Sequence, residues 1–385
     1  MVGGVADYLH RLAESLAERS DVTVMTCVPQ NGAASHRAYR LQPLAPLPDR
    51  LLGRRFGDTV TPIRMVHTGV YFLALRRYAD RLVAGISRDH DVAVVVGIWD
   101  TASHFWCDAC RRAGSPYYLM AHGVELMIPL YGWLPRWRRD DFAGAARVIA
   151  NSQATADFAS RQFQLSKAPV VVNPGAGPPP VRHDVEARAG RLRQELGLGE
   201  AGPVVLTVGR LVPRKGFDLV LQSVAHLRDA FPDLQYVIVG EGPERANLEA
   251  RAQALGISHR VHVLGHVDDL TKWAAYDLCD VFVMPNRSLD GTDVEGFGIV
   301  FVEAALAGRP SIAGRSGGTS DAVVDQVTGL LVDSERPGEV TNGLRQLLSD
   351  RELRCRLGHA GRERARVHFS PPALAASLRT QLGWN

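Results

Sequence analysis

Short apolar runs alternate with helical patterns along the 385-residue chain, and this alternation constrains the fold more than any other feature of the sequence. Apolar runs of this length, separated by helices, are typical of a parallel β-sheet that helices cover on both faces. The runs predicted as strands are 22–28, 92–98, 117–121, 147–150 and 169–173 in the first half, and 204–208, 235–239, 261–264, 281–284 and 328–332 in the second. The sequence therefore predicts an α/β protein made of two doubly wound halves.

The segment NPGAGPPP (173–180) separates the two halves. Its four prolines exclude it from a helix and from a central strand. A chain of this length also favours two domains of ordinary size. We predict an N-terminal Rossmann-like domain at 1–175, a C-terminal Rossmann-like domain at 176–368, and a C-terminal helix at 369–385 that can dock back on the first domain. Because ligands of such sheets bind at the carboxyl ends of the strands, we expect a cleft between the domains.

The first domain begins unusually. Residues 1–19 read as a glycine turn followed by an amphipathic helix, with apolar residues at helical spacing from Val5 to Leu16. A doubly wound domain has a strand before such a turn, and only Met1 and Val2 precede it here. We therefore expect the first strand of this domain to be missing.

Composition excludes several classes of partner and compartment. Lysine and arginine total 44 and aspartate and glutamate 41, so the net charge of +3 gives no reason to expect nucleic acid. The chain shows neither a signal peptide nor a run of about 18 apolar residues, which predicts a cytoplasmic protein. Cys107 and Cys110 form a single CxxC without the second pair that a zinc site needs, so we predict reduced core residues.

The stretch 281–321 combines a buried strand, a polar loop, a glycine turn and a helix. Glu295 precedes the turn Gly296–Gly298, and Glu303 follows inside the helix. Unpaired N–H groups at the start of such a helix bind phosphate, and fixed carboxylates accept hydrogen bonds from hydroxyl groups. A ligand with both groups is a nucleotide sugar. Strand–glycine–helix turns occur in every doubly wound protein, however, so this stretch alone leaves a purely structural turn equally open.

A second cluster follows the strand at 204–208. Arg210, Arg214 and Lys215 precede a helix that opens at Gly216, and three cations in one loop repel one another unless an anion lies among them. Arginine can fork onto phosphate oxygens, and lysine supplies a compact charge. Lys215 is one of only three lysines in the chain. The alternative is a solvated basic turn, and the spacing excludes a P-loop.

These clusters resemble motifs of a known family, the retaining glycosyltransferases of family 4, which have the GT-B fold. The resemblance covers essentially the whole chain and is most specific where two glutamates lie eight residues apart, downstream of an arginine and a lysine. The matching segments are GRLVPRKG (209–216), VGEGPE (239–244), EGFGIVFVEAALAGRPSIAGRSGG (295–318), GGVADYLHRLAESLAER (3–19), AHGVE (121–125), VIANSQAT (148–155) and NPG (173–175). The resemblance implies an α/β GT-B protein with two doubly wound, Rossmann-like domains that face each other across a cleft.

The resemblance also implies four catalytic residues. Arg210 and Lys215 would bind the donor diphosphate and offset the charge that grows on it as the glycosidic bond breaks. Glu295 would hold hydroxyl groups of the transferred sugar, and His122 would hydrogen-bond that sugar from the other domain. We expect Arg214 to contribute less than Lys215.

Other residues would contact the donor through backbone N–H groups, close backbone approach or a carboxylate. These residues are Gly3, Gly4, Gly296, Phe297, Gly298, Ile299 and Glu303. The first two glycines would let the first turn approach the diphosphate, the turn at 296–299 would donate N–H groups to the sugar and phosphates, and Glu303 would take the ribose hydroxyls.

The implied reaction retains the anomeric configuration through front-side attack, in which the leaving phosphate oxygen takes the proton of the acceptor. A double displacement with Glu295 as nucleophile is the alternative. No cofactor and no metal are implied beyond the nucleotide diphosphate sugar itself. Asp290 and Asp293 have the composition of a metal pair, but a loop-forming role is commoner for such residues.

The segments DVEGFGIVFVEA (293–304) and AGRSGG (313–318) are especially similar to the branch that transfers mannose from GDP-mannose to lipid acceptors. We therefore expect GDP-mannose as the donor and a lipid-linked or growing glycan as the acceptor. Two alternatives stay open, a nucleotide-sugar epimerase of the same fold and a non-catalytic nucleotide-sugar-binding subunit.

The segment LYGWLPRWRRDD (130–141) mixes aromatic residues with Arg136, Arg138 and Arg139. This composition suits an anionic lipid interface and predicts peripheral contact with the inner membrane surface. The alternative is a half-buried surface helix, which is commoner for such stretches.

Overall fold

The computed structural model describes residues 4–26, 40–43, 62–86, 92–127, 132, 134–199, 202–289 and 294–384. The chain divides into two compact units. The first unit consists of Met1–Asn151, Thr155–Val172 and Ala375–Asn385, and the second consists of Ser152–Ala154 and Asn173–Leu374. None of the helices in the described ranges is long and apolar enough to cross a bilayer.

In its described residues, the first unit contains two parallel sheets with helices between the strands. Its strands are β1 (Thr23–Thr26), β2 (Arg40–Pro43), β3 (Val94–Val96), β4 (Tyr117–Ala121), β5 (Arg147–Ala150) and β6 (Val170–Val171). Its helices are α1 (Gly4–Ala17), α2 (Pro62–Ile86), α3 (Ser103–Ala113), α4 (Val124–Met127), α5 (Leu134–Gly144) and α6 (Gln153–Phe163). Strands β1 and β2 pair with each other, and the other four form a sheet in the order β3-β4-β5-β6.

Central strands of this second sheet match their predicted bounds, and outer strands are shorter than predicted. Strands β4 and β5 have a partner on each side, and both coincide with the predicted runs. Strands β3 and β6 have one described partner each, and only three residues of β3 and two of β6 pair with it. Of the run predicted at 22–28, residues 23–26 form β1, and 27 and 28 lie outside the described residues.

The CxxC cysteines lie in the core of the first unit, as predicted. Cys107 and Cys110 are free, fully buried thiols on α3. Burial raises the pKa of Cys110 to about 11 and that of Cys107 well above its ordinary value, so both remain protonated at neutral pH. Phe142 and Phe163 belong to the same apolar cluster and stack on each other with ring centroids 4.4 Å apart.

The described part of the second unit contains one parallel sheet of six strands, β7 to β12, which lie in the order β12-β11-β10-β7-β8-β9. The strands are β7 (Val204–Val208), β8 (Gln235–Val239), β9 (Val261–Gly265), β10 (Val281–Met284), β11 (Ser311–Gly314) and β12 (Gly329–Val332). The helices are α7 (Arg182–Glu195), α8 (Phe217–Leu227), α9 (Arg245–Ala254), α10 (Asp269–Leu278), α11 (Ile299–Leu306), α12 (Thr319–Ala322), α13 (Pro337–Ser349), α14 (Arg351–His368) and the start of α15 (Pro371–Leu382).

Both faces of this sheet are covered, as the apolar runs predicted. Every residue of β7 is buried. Leu206 belongs to the apolar cluster on one face, and its neighbour Val205 belongs to the cluster on the other. This is the alternation expected of a strand whose side chains point to opposite faces.

The strand order reverses between the adjacent strands β7 and β10. From β7 the chain runs through α8 to β8 on one side, and from β10 it runs through α11 to β11 on the other. The connections after these two strands lead in opposite directions, an arrangement that in doubly wound sheets opens a crevice at the carboxyl ends of the strands. Ligands of doubly wound sheets bind at such a reversal.

Candidate active site

The loop after β7 is fitted against the loop after β10. Gly216 has φ 74°, in the left-handed region, and a Cβ there would collide with the carbonyl oxygen of Pro285. The backbone N–H of Arg287 donates to the carbonyl of Arg214 at 2.9 Å. The guanidinium of Arg287 also makes two 3.1 Å bonds to the carboxylate of Asp218, at the start of α8. These contacts fix the turn Pro213–Lys215 at the mouth of the crevice.

Glu295 is the centre of the site, and its Oε2 atom accepts three hydrogen bonds. Nη1 of Arg214 donates at 2.7 Å, Nζ of Lys215 at 2.5 Å and Nδ2 of Asn286 at 2.8 Å. Glu295 and Lys215 are 9% and 8% exposed. Burial by itself would raise the pKa of Glu295, but the charges and hydrogen bonds of Lys215 and Arg214 outweigh it and hold that pKa below its ordinary value. Glu295 is therefore an ionised carboxylate at neutral pH.

The other carboxylate oxygen of Glu295, Oε1, accepts no hydrogen bond from the described part of the chain. The backbone carbonyl oxygen of Glu295 accepts a hydrogen bond from the N–H of Gly318 at 2.8 Å. Gly317 packs against the same oxygen, and a Cβ added at Gly317 would collide with it. Backbone and side chain are thus both held, with one oxygen left for a ligand.

The turn Gly296–Gly298 leads into α11 as predicted. Gly298 has φ 91° and precedes the first helical residue, Ile299. Phe297 is buried, with its ring 5.6 Å from that of Phe369, so only its backbone is offered to a ligand. The N-terminal N–H groups of α11 therefore open at the crevice beside Glu295.

The second glutamate, Glu303, is held by two residues of α10. Its Oε1 accepts from Nζ of Lys272 at 2.8 Å, and its Oε2 accepts from the hydroxyl of Tyr276 at 2.9 Å. Lys272 also bonds Asp269 at 2.9 Å. Burial would lower the pKa of Lys272, but its two carboxylate partners outweigh burial and raise that pKa. Lys272 is therefore a charged donor to Glu303 at neutral pH.

Two of the predicted cations in the loop after β7 differ in their surroundings. Arg210, at the end of β7, is exposed, and its side chain pairs with no other described residue. Arg214, which was expected to be secondary, donates directly to Glu295 beside Lys215. Asn286 was missed altogether. Its position two residues after β10 was the available signal, since side chains at the carboxyl end of a central strand face the ligand site.

His122 follows β4 in the first unit and is buried. Its Nε2 donates to the carbonyl of Gly97 at 2.7 Å, which fixes the proton on that nitrogen. The ring of Tyr8 packs edge-on with centroids 5.7 Å apart, and Nδ2 of Asn151 donates to the His122 carbonyl at 3.0 Å. Gly4 begins α1, whereas Gly3 and the pair Asp290 and Asp293 lie outside the described residues.

Two family models match the chain in succession. Glycosyltransferase Family 4 matches residues 2–176, and Glycosyl transferases group 1 matches residues 189–364. The GDP-mannose-dependent alpha-(1-6)-phosphatidylinositol monomannoside mannosyltransferase of Mycobacterium tuberculosis H37Rv is 40% identical over 363 residues, covering 79% of this chain and 92% of that protein. The chain is a family 4 glycosyltransferase. The protein of the same name from Mycolicibacterium smegmatis is 37% identical over 264 residues, and the match spans 66% of each chain.

Solved structures share the fold of this glycosyltransferase. HepE of Anabaena in complex with UDP has a TM-score of 0.75 at 20% identity, covering 100% of this chain and 97% of HepE. Sucrose-phosphate synthase of Thermosynechococcus elongatus has a TM-score of 0.71 at 22% identity, covering 99% and 93%. The prediction of an α/β GT-B protein with two Rossmann-like, parallel-sheet domains is confirmed.

Within this glycosyltransferase, the described structure brings together most of the residues predicted for the donor. Lys215, Glu295 and the turn after it lie at one crevice in the second unit, and Glu303 lies on the helix that begins there. The roles assigned to these residues, to Arg210 and to His122 stay predictions.

Proposed function

We propose that this glycosyltransferase moves mannose from GDP-mannose to a lipid-linked glycan acceptor, with retention of the anomeric configuration. The carrying observation is the convergence of Arg214, Lys215 and Asn286 on Oε2 of Glu295 at the reversal between β7 and β10. The relatives named for GDP-mannose and phosphatidylinositol monomannoside supply the choice of donor and acceptor class.

The charge of the crevice suits a diphosphate leaving group. Arg214 and Lys215 carry two positive charges against the one negative charge of Glu295, so these three residues together have a net charge of +1. As the bond between the sugar and the diphosphate breaks, negative charge grows on the phosphate oxygens, and preorganised cations stabilise it. Arg210, Arg214 and Lys215 supply the stabilising positive charge. We therefore propose that transfer requires no metal ion.

Glu295 is better suited to holding the sugar than to attacking it. Oε2 is neutralised by two cations and an amide, and the lowered pKa of the carboxylate makes it a weak nucleophile. Oε1 remains to accept a hydroxyl of the mannose, since a carboxylate oxygen is a strong acceptor. This favours front-side attack over a double displacement, with the leaving phosphate oxygen taking the acceptor's proton.

A lipid-linked acceptor also requires approach to a membrane. On α5, Arg136 and Arg139 are exposed and share one ion partner, Asp140, at 3.5 and 4.0 Å. Trp137 stacks on His104 with centroids 4.1 Å apart and is half-buried, so it belongs to the protein rather than to a lipid phase. We propose a cytoplasmic protein that touches the inner membrane surface through the exposed arginines of this helix.

Donor binding is the first test. Thermal unfolding is followed with GDP, UDP and ADP, then with GDP-mannose, UDP-glucose and UDP-N-acetylglucosamine, because a ligand of the native state raises the midpoint. We expect GDP and GDP-mannose to shift it and the others to leave it in place. A shift with UDP compounds alone would overturn the choice of donor.

Transfer is the second test. Vesicles that contain phosphatidylinositol monomannoside are incubated with GDP-mannose and the enzyme, with and without EDTA, and the new linkage is assigned by NMR. An α-linked product formed equally well with EDTA supports the proposal. Binding without transfer or hydrolysis would favour a binding subunit, and a nucleotide sugar with a changed stereocentre would favour an epimerase.

A further inference from the structure

Two residues of α10 hold the second carboxylate of the site by its two different oxygen atoms. The Tyr276 hydroxyl bonds Oε2 of Glu303 at 2.9 Å, and Nζ of Lys272 bonds Oε1 at 2.8 Å. The last torsion of a glutamate side chain is soft, and a carboxylate bound at one oxygen alone can turn about it. Bonds to both oxygens fix the plane of the Glu303 carboxylate.

Tyr276 is itself fixed by the core. It is fully buried, and its ring lies 5.8 Å from Trp273 and 5.6 Å from Phe282, which belongs to β10. Burial raises the pKa of its phenol well above the ordinary value, so it is a protonated donor at neutral pH. The orientation of Glu303 is thus set by the packing of α10 on the sheet.

A carboxylate held in this way has acceptor capacity left on each oxygen. The side chain of Glu303 is 13% exposed, so the remaining lone pairs are within reach of a ligand. A carboxylate offers about four lone-pair sites, of which Lys272 and Tyr276 use two. The remaining sites lie on both oxygens, which matches two hydroxyl groups on adjacent carbon atoms.

We propose that Tyr276 and Lys272 are positioning residues that aim Glu303 at the 2′- and 3′-hydroxyls of the donor ribose. The inference rests on the proposed function, which supplies the nucleoside diphosphate. It adds to that function two residues, Tyr276 and Lys272, which fix the plane of the Glu303 carboxylate so that it can accept both hydroxyls of the ribose.

The test compares the dissociation constants of GDP and of 2′,3′-dideoxy-GDP, measured by calorimetry. We expect the wild-type enzyme to prefer GDP about tenfold or more, because hydrogen bonds to a charged group discriminate strongly. Tyr276→Phe keeps the ring and removes the hydroxyl. We expect it to weaken GDP about fivefold and to leave the dideoxy compound unchanged, since that compound has no diol for Glu303 to bind.

Tyr236→Phe is the matched control. Tyr236 is fully buried in the same unit, but its hydroxyl bonds Oγ1 of Thr207 at 2.8 Å instead of Glu303. This variant removes a buried hydroxyl without touching the diol site, so any change in affinity should be the same for both nucleotides. If Tyr276→Phe changes the dissociation constants of GDP and the dideoxy compound by the same factor, its hydroxyl serves folding alone and the proposal is overturned. A Tyr276→Phe enzyme in which neither dissociation constant changes would also overturn it.

Lys272 is tested with two substitutions. Lys272→Met removes the donor to Oε1, and we expect most of the preference for GDP to disappear. Lys272→Gln keeps a neutral donor and should retain part of it. A Lys272→Met enzyme with the full wild-type preference would exclude Lys272 from positioning.

The failure of this inference and the failure of the proposed function look different. If the wild-type enzyme binds GDP and the dideoxy compound equally well, Glu303, Tyr276 and Lys272 do not recognise the ribose diol. The proposed transferase function is unaffected by that result. Wild-type enzyme that binds no GDP removes the proposed donor itself.

Discussion

Nζ of Lys215 and Oε2 of Glu295 lie 2.5 Å apart although 80 residues separate them in the chain. They meet because β7 and β10 are neighbours in the sheet and their loops are fitted together at Gly216. Arg214 and Asn286 donate to the same oxygen. Substitutions among these four residues therefore act on one unit, and their effects should not add.

Arg214→Ala and Lys215→Ala should each lower kcat/KM at least about tenfold, a loss of about 1.4 kcal/mol of transition-state stabilisation. Each removes a cation from the leaving diphosphate and leaves Glu295 with a single charged partner. The double variant should lose less than the product of the two single losses. Steady-state kinetics with GDP-mannose measure the two single variants and the double variant. Arg228 is an exposed arginine that follows α8, and Arg228→Ala is the control. A normal rate in Arg214→Ala would show that Lys215 serves the site alone.

Asn286→Asp should shift the pH dependence of the reaction. The new carboxylate would stand beside Glu295, and a like charge raises the pKa of its neighbour. The acid limb of kcat/KM should move upward by about one pH unit, so activity near pH 5 falls more than activity near pH 8. Asn286→Ala removes the donor without adding charge, so its acid limb should move upward less than that of Asn286→Asp. Identical profiles for the two variants would contradict this account.

Glu295 should stabilise the native state at neutral pH and lose that effect in acid. Its folded pKa lies below the ordinary value of 4.5, so its contribution is present above pH 4.5 and is lost as the pH falls through the folded pKa. Glu295→Gln cannot ionise and lacks this dependence. Urea unfolding of both proteins between about pH 7 and pH 3 should show the wild-type advantage shrinking with falling pH. Parallel stability curves would mean that the pKa of Glu295 does not change on folding.

Much of the fold follows from sequence periodicity alone. Strands such as β4, β5 and β7 are buried on both faces, so their apolar runs begin and end where the paired backbone does. In the first unit, β3 and β6 have one described partner each and are shorter than the runs at 92–98 and 169–173, because only the paired residues form the strand.

The site was predictable where its residues are close in sequence. Glu295, the glycine turn and Glu303 share one stretch, and Lys215 follows a strand with a recognisable end. The partners of these residues depend on strand order and helix packing instead. Tyr276 meets Glu303 across 27 residues and Asn286 meets Glu295 across a loop, and no local spacing encodes either contact. The importance of Arg214 likewise depends on the direction of one side chain.

Asp141 and Asp140 are neighbours on α5, one buried and one exposed. Comparing them tests how much the buried hydrogen bonds of Asp141 contribute to the stability of the first unit. The Asp141 side chain is fully buried and accepts from Nε1 of Trp99 at 2.8 Å and Nη1 of Arg111 at 2.7 Å, with Nδ1 of His104 at 2.9 Å. Asp140 is exposed, and among the described residues its side chain pairs with the exposed Arg136 and Arg139.

Asp141→Ala should lower the free energy of unfolding by about 3–5 kcal/mol, because it leaves Trp99, His104 and Arg111 without their shared buried carboxylate. Asp140→Ala should change it by less than about 0.5 kcal/mol, as expected of surface ion pairs. Urea unfolding of the two variants beside the wild type measures both values at one pH. Equal and small losses would mean that Trp99, His104 and Arg111 find other partners, and the network would then contribute little to the stability of the first unit.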